Sequence, residues 1–484
     1  MGALIAVINK KGENAMEAAV AMLKTLKHEH VEALGIASPT TVKVGKVFLE
    51  LQDKSVNSSM LIGHVFSRIL PTDKPQLMKL EGATLVFEGR LYQTAARISD
   101  AKAFAMTVQH DPEEAIKKTE ADFAFALAEP ERLVAGRDVM GIRPLYYGEN
   151  ADFAALASER KALWNIGIKT ANSFPPGNIA FVNKNGFEFK PVKTFAYSEP
   201  KPLTMQTAAK KLQKLLQHSI MERAAGLKKV AVAFSGGLDS STIAFLAKKT
   251  ETNTHLVHVS LKNQPETEHA KRTAKELELP IHIYLYDEGD VEKALPKVLW
   301  LIEEPDPLKA SIGIPVYWSA QKTAETGLKV LLAGQGADEL FGGYKRYVDD
   351  YSRFGSKKAH ITMFNDIVRM HEANFERDFK ICNFHNVELR LPFAAYQIAK
   401  FATNLPVELK IELPDNGLRK LVLRQIAESI GLPQFIVKKS KKAIQYTSGV
   451  SKTLEKLAKR EGLSVKEHVE KIFHKIFRKM KRNE

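Results

Sequence analysis

One cysteine, Cys382, stands in 484 residues. A single thiol cannot close an intramolecular disulfide or furnish a cysteine-based zinc site. A disulfide-stapled scaffold is therefore excluded, and a reducing, cytoplasmic setting is the expectation. No apolar run reaches the roughly 20 residues needed to span a bilayer, so no membrane partner is expected. The apolar start from Gly2 to Ile8 has no basic segment ahead of it and runs straight into Asn9, Lys10 and Lys11. It reads as a buried first strand and not as a secretory signal. Gly2 invites a myristoylation reading, but Ala6 stands where that signal needs Ser or Thr. Internal repeats and long low-complexity segments are also lacking.

What is present is ordinary globular material, 44% hydrophobic and 26% charged. At about 150 residues per domain, the length allows two or three domains. The net charge of +15 would attract nucleotides, RNA or acidic membranes alike. A lysine-rich solvated surface accounts for it equally, so the charge names no partner. Short alternating apolar runs mark residues 1–192 as mixed strand and helix. Strands are expected at Leu4–Ile8, Ala83–Phe87 and Phe123–Leu127, and a helix over Ala15–Lys27. The proline-bearing stretch 193–205 reads as a linker. A helix is then expected over 206–224, with Leu212, Leu215, Leu216 and Ile220 on one face. Strands at Val230–Phe234, His255–Ser260, Ile281–Tyr286 and Lys329–Ala333 alternate with helices. That alternation implies a parallel sheet covered on both faces. Residues 357–430 read as mostly helical. The tail, 451–484, holds eleven Lys/Arg against five Glu. Ser464 is placed there to cap a helix carrying Val465, Val469, Ile472, Phe473 and Ile476.

The strongest local signal runs from Ser235 to Ser241, Ser-Gly-Gly-Leu-Asp-Ser-Ser, between an apolar strand and a helical run. Gly236 and Gly237 let the backbone approach phosphate oxygens. The N–H groups and dipole at the helix start favour negative charge, and Ser235, Ser240 and Ser241 add hydroxyls. Asp239 would repel a phosphate unless it holds a cation, and Mg²⁺ resolves that conflict. No Gly-Lys-Ser/Thr ending follows, so this is not a Walker loop. It resembles the pyrophosphate loop of the ATP-pyrophosphatases, which cleave ATP between the α and β phosphates. A second glycine-rich loop, Gly334–Tyr344, follows the strand ending at Ala333. Ligands bind at the carboxyl ends of strands in open parallel sheets, so Asp338 could face Asp239 and share the metal.

Together these stretches resemble asparagine synthetase and its relative β-lactam synthetase. The likeness continues at Val387–Phe393, Val-Glu-Leu-Arg-Leu-Pro-Phe, and at Lys441–Gly449. It implies an ATP site formed by Phe234, Ser235, Gly236, Gly237, Leu238, Asp239, Ser240, Ser241, Val259, Gly334 and Gln335, with Mg²⁺ on Asp239 and Asp338. It also implies a lysine that stabilises charge on the α phosphate and acyl oxygen, either Lys441 or Lys442. One departure stands out. The family's synthetases carry an acid where this chain has Gln335. Glutamine cannot take a proton from an ammonium, although it can orient a substrate by hydrogen bonds. Either another base such as Glu388 acts, or the substrate differs.

The first half resembles the family's class II glutamine amidotransferase domain, through Gly136–Gly148, Leu156–Leu163 and Pro175–Gly177. That likeness implies an Ntn-hydrolase-like α+β sandwich, but its chemistry is missing. Gly2 replaces the N-terminal cysteine nucleophile. Glu88-Gly89 replaces the Asn-Gly oxyanion pair, and Phe66 replaces the arginine that grips substrate. Asp100 alone keeps its acidic character. The expected organisation is a degenerate amidotransferase-like domain (1–192), a linker, an α/β ATP-pyrophosphatase domain with a parallel sheet and a helical C-terminal part (206–450), and a basic helical tail (451–484).

The expected function is an amide-forming ligase that uses ATP and Mg²⁺. It would activate a small-molecule carboxylate, aspartate first, as an acyl-adenylate and add ammonia or a substrate amine. Homodimerisation is compatible with this. The rivals are a β-lactam-synthetase-like intramolecular ligase, an RNA-modifying ATP-pyrophosphatase holding nucleic acid on Lys471–Arg482, and a nucleotide-sensing regulator.

Overall fold

The structure is a computed structural model, and it describes residues 2–28, 30–51, 56–75, 77–92, 98–413, 418–440 and 443–480. The chain divides into two compact units at residues 195 and 196. Residues 192–204 carry neither helix nor strand.

The first unit runs β1 (Gly2–Asn9), α1 (Met16–Leu26), β2 (Ala33–Ala37), β3 (Val42–Gly45), β4 (Met60–Phe66), β5 (Leu77–Leu80), β6 (Ala83–Leu91), α2 (Asp100–Val108), α3 (Pro112–Lys118), β7 (Ala121–Ala128), β8 (Leu133–Arg137), β9 (Tyr146–Glu149), β10 (Phe153–Ala157), α4 (Arg160–Trp164), β11 (Asn172–Ser173), β12 (Asn178–Asn183) and β13 (Gly186–Pro191). Two antiparallel sheets form, ordered β11-β9-β10-β1-β4-β2-β3 and β13-β12-β8-β7-β6-β5. The two-residue period of each strand separates its faces. In β1, Ala3, Ile5 and Val7 pack under α1 and α4, while Leu4, Ala6 and Ile8 face the second sheet. In β7, Ala124, Ala126 and Ala128 face the first sheet, while Phe123, Phe125 and Leu127 pack under α2 and α3. The result is a helix–sheet–sheet–helix sandwich. Its inner layer is rich in alanine, so little side-chain bulk separates the sheets. The three expected strands lie inside β1, β6 and β7, and the expected helix is α1.

The second unit runs α5 (Met205–Ala224), β14 (Lys229–Ala233), α6 (Leu238–Lys248), β15 (Asn253–Leu261), α7 (Pro265–Glu276), β16 (Ile281–Tyr286), α8 (Glu288–Ile302), α9 (Pro307–Glu325), β17 (Val330–Leu332), α10 (Ala337–Phe341), α11 (Lys345–Val368), α12 (Glu376–Phe384), β18 (Glu388–Arg390), α13 (Tyr396–Thr403), α14 (Leu421–Ser429), α15 (Gln434–Val437), α16 (Ile444–Thr447), α17 (Val450–Arg460) and α18 (Val465–Met480). All strand pairs in its sheet are parallel, in the order β16-β15-β14-β17-β18. The chain leaves β14 in one direction to build β15 and β16, then returns to build β17 and β18 on the other side. The order therefore reverses between β14 and β17, where an open parallel sheet forms a crevice. Strand β18 lies within the stretch expected to be helical. Tail helix α18 lays its apolar face on α8, with Phe477 stacked on Trp300 at 5.1 Å between ring centroids. No helix among the described residues is long and apolar enough to cross a membrane.

Candidate active site

The switch point is where the two glycine-rich loops emerge. Beyond β14, the Phe234 N–H still donates to the Val257 carbonyl (2.9 Å), and α6 begins at Leu238. Between them Gly236 adopts φ +67, and a Cβ there would lie 3.0 Å from the Ala270 Cα. Position 236 thus needs glycine for its backbone angle as well as for space. Two imidazoles occupy the loop's carbonyls. His258 Nδ1 lies 2.9 Å from the Phe234 oxygen, and His269 Nε2 lies 2.8 Å from the Gly236 oxygen. Burial lowers the pKa of both rings, which keeps them neutral with one N–H each to donate. The residue before α6 is Gly237, which has no side chain to cap the first turn, and no side-chain cap is made there among the described residues. Ser235 Oγ accepts from the Gly237 N–H (3.2 Å) and lies 3.2 Å from Ser240 Oγ. Ser241 Oγ is buried without a partner. Val259 lies on β15 two residues past Val257, which pairs with Ala233, and so reaches the level of Ser235.

Asp239, on the first turn of α6, meets Asp338, on the first turn of α10. Between them stands Lys420, whose Nζ donates to Asp239 Oδ2 and forms an ion pair with Asp338 Oδ1, at 2.7 Å each. Lys420 is buried at the start of α14, with φ +62. Two glycines permit this approach. A Cβ on Gly334 would stand 3.2 Å from Asp239 Cβ, and one on Gly343 would stand 1.9 Å from Asp338 Oδ1. Arg419 donates to the Gly343 carbonyl at 2.8 Å. Arg424 donates to the Arg419, Val437 and Lys439 carbonyls, tying the segment that ends at Ser440 to the same helix start. Lys441 and Lys442 lie outside the described residues.

The donor set fits Mg²⁺. Asp239 Oδ1 is buried with no hydrogen-bond partner. Among the described residues no cluster of three or more His, Cys, Asp or Glu offers an all-protein cage. Magnesium commonly takes one or two carboxylates and completes its shell with phosphate oxygens and water.

Gln335 lies at the same strand end, and its Nε2 donates to Asp378 Oδ2 at 2.8 Å. Glu339, beside Asp338, turns instead to Tyr344 and Asn374. Glu388 is not brought to the loops. It opens β18 opposite Val330, at the amino end of the strands, and its Oε1 accepts from Arg390 Nε at 2.6 Å. Arg390 in turn donates to the Arg223 carbonyl near the end of α5. Lys420, His258, His269 and Asp378 were not singled out from sequence. Each is an isolated polar residue whose partner lies far along the chain, and no local pattern marks it.

In the first unit, the amidotransferase positions are filled by packing and buried charge. A Cβ at Gly2 would stand 1.6 Å from the Val65 oxygen. Phe66 is buried opposite Gly2 on β4. Glu88 is buried between His64 (3.1 Å) and Arg143 (3.2 Å). Burial alone would raise its pKa, but the surrounding positive charge and the His64 hydrogen bond outweigh that and hold it at about 2. Next to it, a Cβ on Gly89 would stand 2.7 Å from the Asp122 oxygen. Asp100 accepts from Arg90 (2.9 Å), which also grips Asp73 through two nitrogens.

A family model described as asparagine synthase matches residues 211–359 and 353–480, and one described as a glutamine amidotransferase domain matches 79–165. A putative glutamine-hydrolyzing asparagine synthetase of Methanocaldococcus jannaschii is 30% identical over 96% of this chain and 97% of its own length. The glutamine-hydrolyzing asparagine synthetase of Asparagus officinalis is 28% identical over 73% of this chain, and the match spans 61% of the plant protein. Among solved structures, a glutamine phosphoribosylpyrophosphate amidotransferase from B. subtilis aligns with TM-score 0.34 and 16% identity, over 58% of this chain and 65% of that one.

Two outcomes follow from this geometry. Lys420→Met leaves two carboxylates facing each other with no cation, and removing one partner of a buried pair costs about 3 kcal/mol. Thermal denaturation of the variant should show a lower melting temperature that millimolar Mg²⁺ restores, whereas the wild type should respond less. A variant as stable as wild type without Mg²⁺ would show that the ammonium does not hold the carboxylates. For Gly2→Cys, the clash with the Val65 oxygen should cost about 1–3 kcal/mol. Glutamine hydrolysis should remain undetectable, and brisk release of glutamate would contradict the packing described.

Proposed function

Because the chain belongs to the asparagine synthase family, a family of ATP-using carbon–nitrogen ligases, we propose that it activates a carboxylate, with aspartate the first candidate, as an acyl-adenylate. Pyrophosphate is released, and nitrogen is then taken from free ammonia. The observation that carries this reading is the convergence of Asp239 and Asp338 on one cation position beside the uncapped start of α6. Bound there, Mg²⁺ would neutralise charge on the pyrophosphate. The N–H groups of the first turn of α6 and the Ser235 and Ser240 hydroxyls hold phosphate oxygens, while His258 and His269 keep the loop's carbonyls turned to themselves. Asp239 and Asp338 would hold the metal, and Lys420, which lies against both carboxylates, would supply positive charge to the departing pyrophosphate. Lys441 or Lys442 is the lysine that would stabilise charge on the acyl oxygen and α phosphate.

The curated relatives are named for glutamine hydrolysis. We propose that this chain does not perform it, since Gly2, Phe66 and Glu88 leave no nucleophile, no substrate grip and no oxyanion donor. A substrate carrying its own amine is the second reading. Gln335 favours it, because a glutamine offers no base for deprotonating ammonium.

The test is ATP–pyrophosphate exchange over a panel of amino acids, followed by product formation with ammonium chloride or glutamine. Exchange should depend on one carboxylate and fall at least a hundredfold in Asp239→Asn and Asp338→Asn, each of which loses a metal oxygen. Product should form with ammonium alone and faster as pH rises, because only neutral ammonia is nucleophilic. Near-normal exchange in either variant, or glutamine serving as well as ammonium, would contradict the reading. Product with neither donor would select the substrate-amine reading.

A further inference from the structure

Gln335 is not a loose polar substitute for an acid. Its Nε2 donates to Asp378 Oδ2 at 2.8 Å, and Asp378 is wholly buried in α12. Arg377 grips the same carboxylate through Nε (2.7 Å) and a second nitrogen (3.0 Å), and also donates to the Ala373 carbonyl. An ionised carboxylate only accepts hydrogen bonds, so Asp378 fixes which end of the Gln335 amide faces it. The amide nitrogen must point to Asp378, and Oε1 is turned elsewhere. That oxygen accepts no hydrogen bond from the described residues. Gln335 follows Gly334 directly, and Gly334 packs against the Asp239 side chain. The negative charge at this corner therefore lies one residue deeper than position 335, neutralised by Arg377, and what position 335 presents is a neutral carbonyl.

We propose that Gln335, locked by Asp378 and Arg377, is the positioning residue for the nitrogen nucleophile. It offers Oε1 as an acceptor that orients an uncharged ammonia or amine and takes no proton from it. This rests on the ligase reading above and adds to it the form of nitrogen that the site admits. In the step, the nitrogen lone pair forms the bond to the acyl carbon. The bond from that carbon to the AMP oxygen breaks with its electron pair on AMP, and the surplus proton passes to water. A carboxylate at 335 would draw ammonium cation to the site, whereas a neutral carbonyl gives the cation no such advantage.

The lock makes a counterintuitive claim about Gln335→Glu. Two carboxylates would meet across the 2.8 Å contact, with one guanidinium, that of Arg377, bound to the Asp378 side. Such a pair holds a proton, or the loop moves away. The single change therefore does not create a working base. Changing the partner as well, in Gln335→Glu/Asp378→Asn, reverses the polarity of the hydrogen bond and restores the charge balance around Arg377.

Exchange, ammonium-dependent amide formation and melting temperature are to be measured in wild type, Gln335→Glu and the double variant. The single variant should lose at least tenfold in amide formation per unit of exchange, through a raised KM for ammonium, and should melt lower. The double variant should recover most of the loss in both measurements, and its amide-forming activity should extend to lower pH than wild type. A single variant with wild-type melting and amide formation, or a double variant no better than the single, would overturn the lock while leaving the ligase reading standing. Wild-type protein that shows no exchange with any carboxylate would remove the ligase reading and this inference with it.

Discussion

Two carboxylates and one ammonium fix the centre of the second unit. Strands β14 and β17 are neighbours, and each ends in a glycine-rich turn that starts a helix with an aspartate in its first turn. Like charges about 4 Å apart repel by about 4 kcal/mol at an effective dielectric of 20. That is comparable to the whole stability margin of many domains. Lys420 removes the repulsion by standing between the two side chains, and α14 exists at that spot to present it. The same geometry accounts for Gly334 and Gly343, where any side chain would intrude on the pair. In the proposed reading, a metal cation would hold the two carboxylates that Lys420 now neutralises.

Much of this was legible in the sequence, because it is written locally. The strand–glycine–helix pattern around Ser235–Ser241 carries its own periodicity, turn residues and hydroxyls, and so does the loop after β17. Likewise, β7 shows period-two alternation, with alanines on one face and large residues on the other. The missing parts are those set only by tertiary pairing. Lys420 meets Asp239 across 181 positions of chain, and in sequence it is one basic residue beside Arg419. His258 and His269 act on backbone carbonyls, which have no sequence signature. Strand β18 has three residues, too few for a period to show, and it owes its existence to β17 beside it. Glu388 reads as a candidate base in sequence because it lies in a recognisable stretch. The parallel register sets it at the far end of the strands, against Arg390.

The first unit separates fold from chemistry. Its sandwich is built on the two buried faces of β1 and β7, which pack on the facing sheet on one side and on helices on the other. In the proposed reading, glycine stands in place of a nucleophile and glutamate in place of an oxyanion donor, and the layers stay packed around both. The replacements are integrated into that packing. Glu88 is fixed by His64 and Arg143, Asp100 by Arg90, and β4 passes so close to Gly2 that the start of β1 admits no side chain.

The central claim is that ATP is cleaved between its α and β phosphates to give an acyl-adenylate at the switch point. The direct measurement follows heavy oxygen from a labelled carboxylate substrate, aspartate first, through a single turnover with ATP, Mg²⁺ and ammonium. The account predicts one labelled oxygen in AMP, the other in the amide product, and none in pyrophosphate. Label appearing in inorganic phosphate, with ADP as the nucleotide product, would mean an acyl-phosphate route and would contradict it.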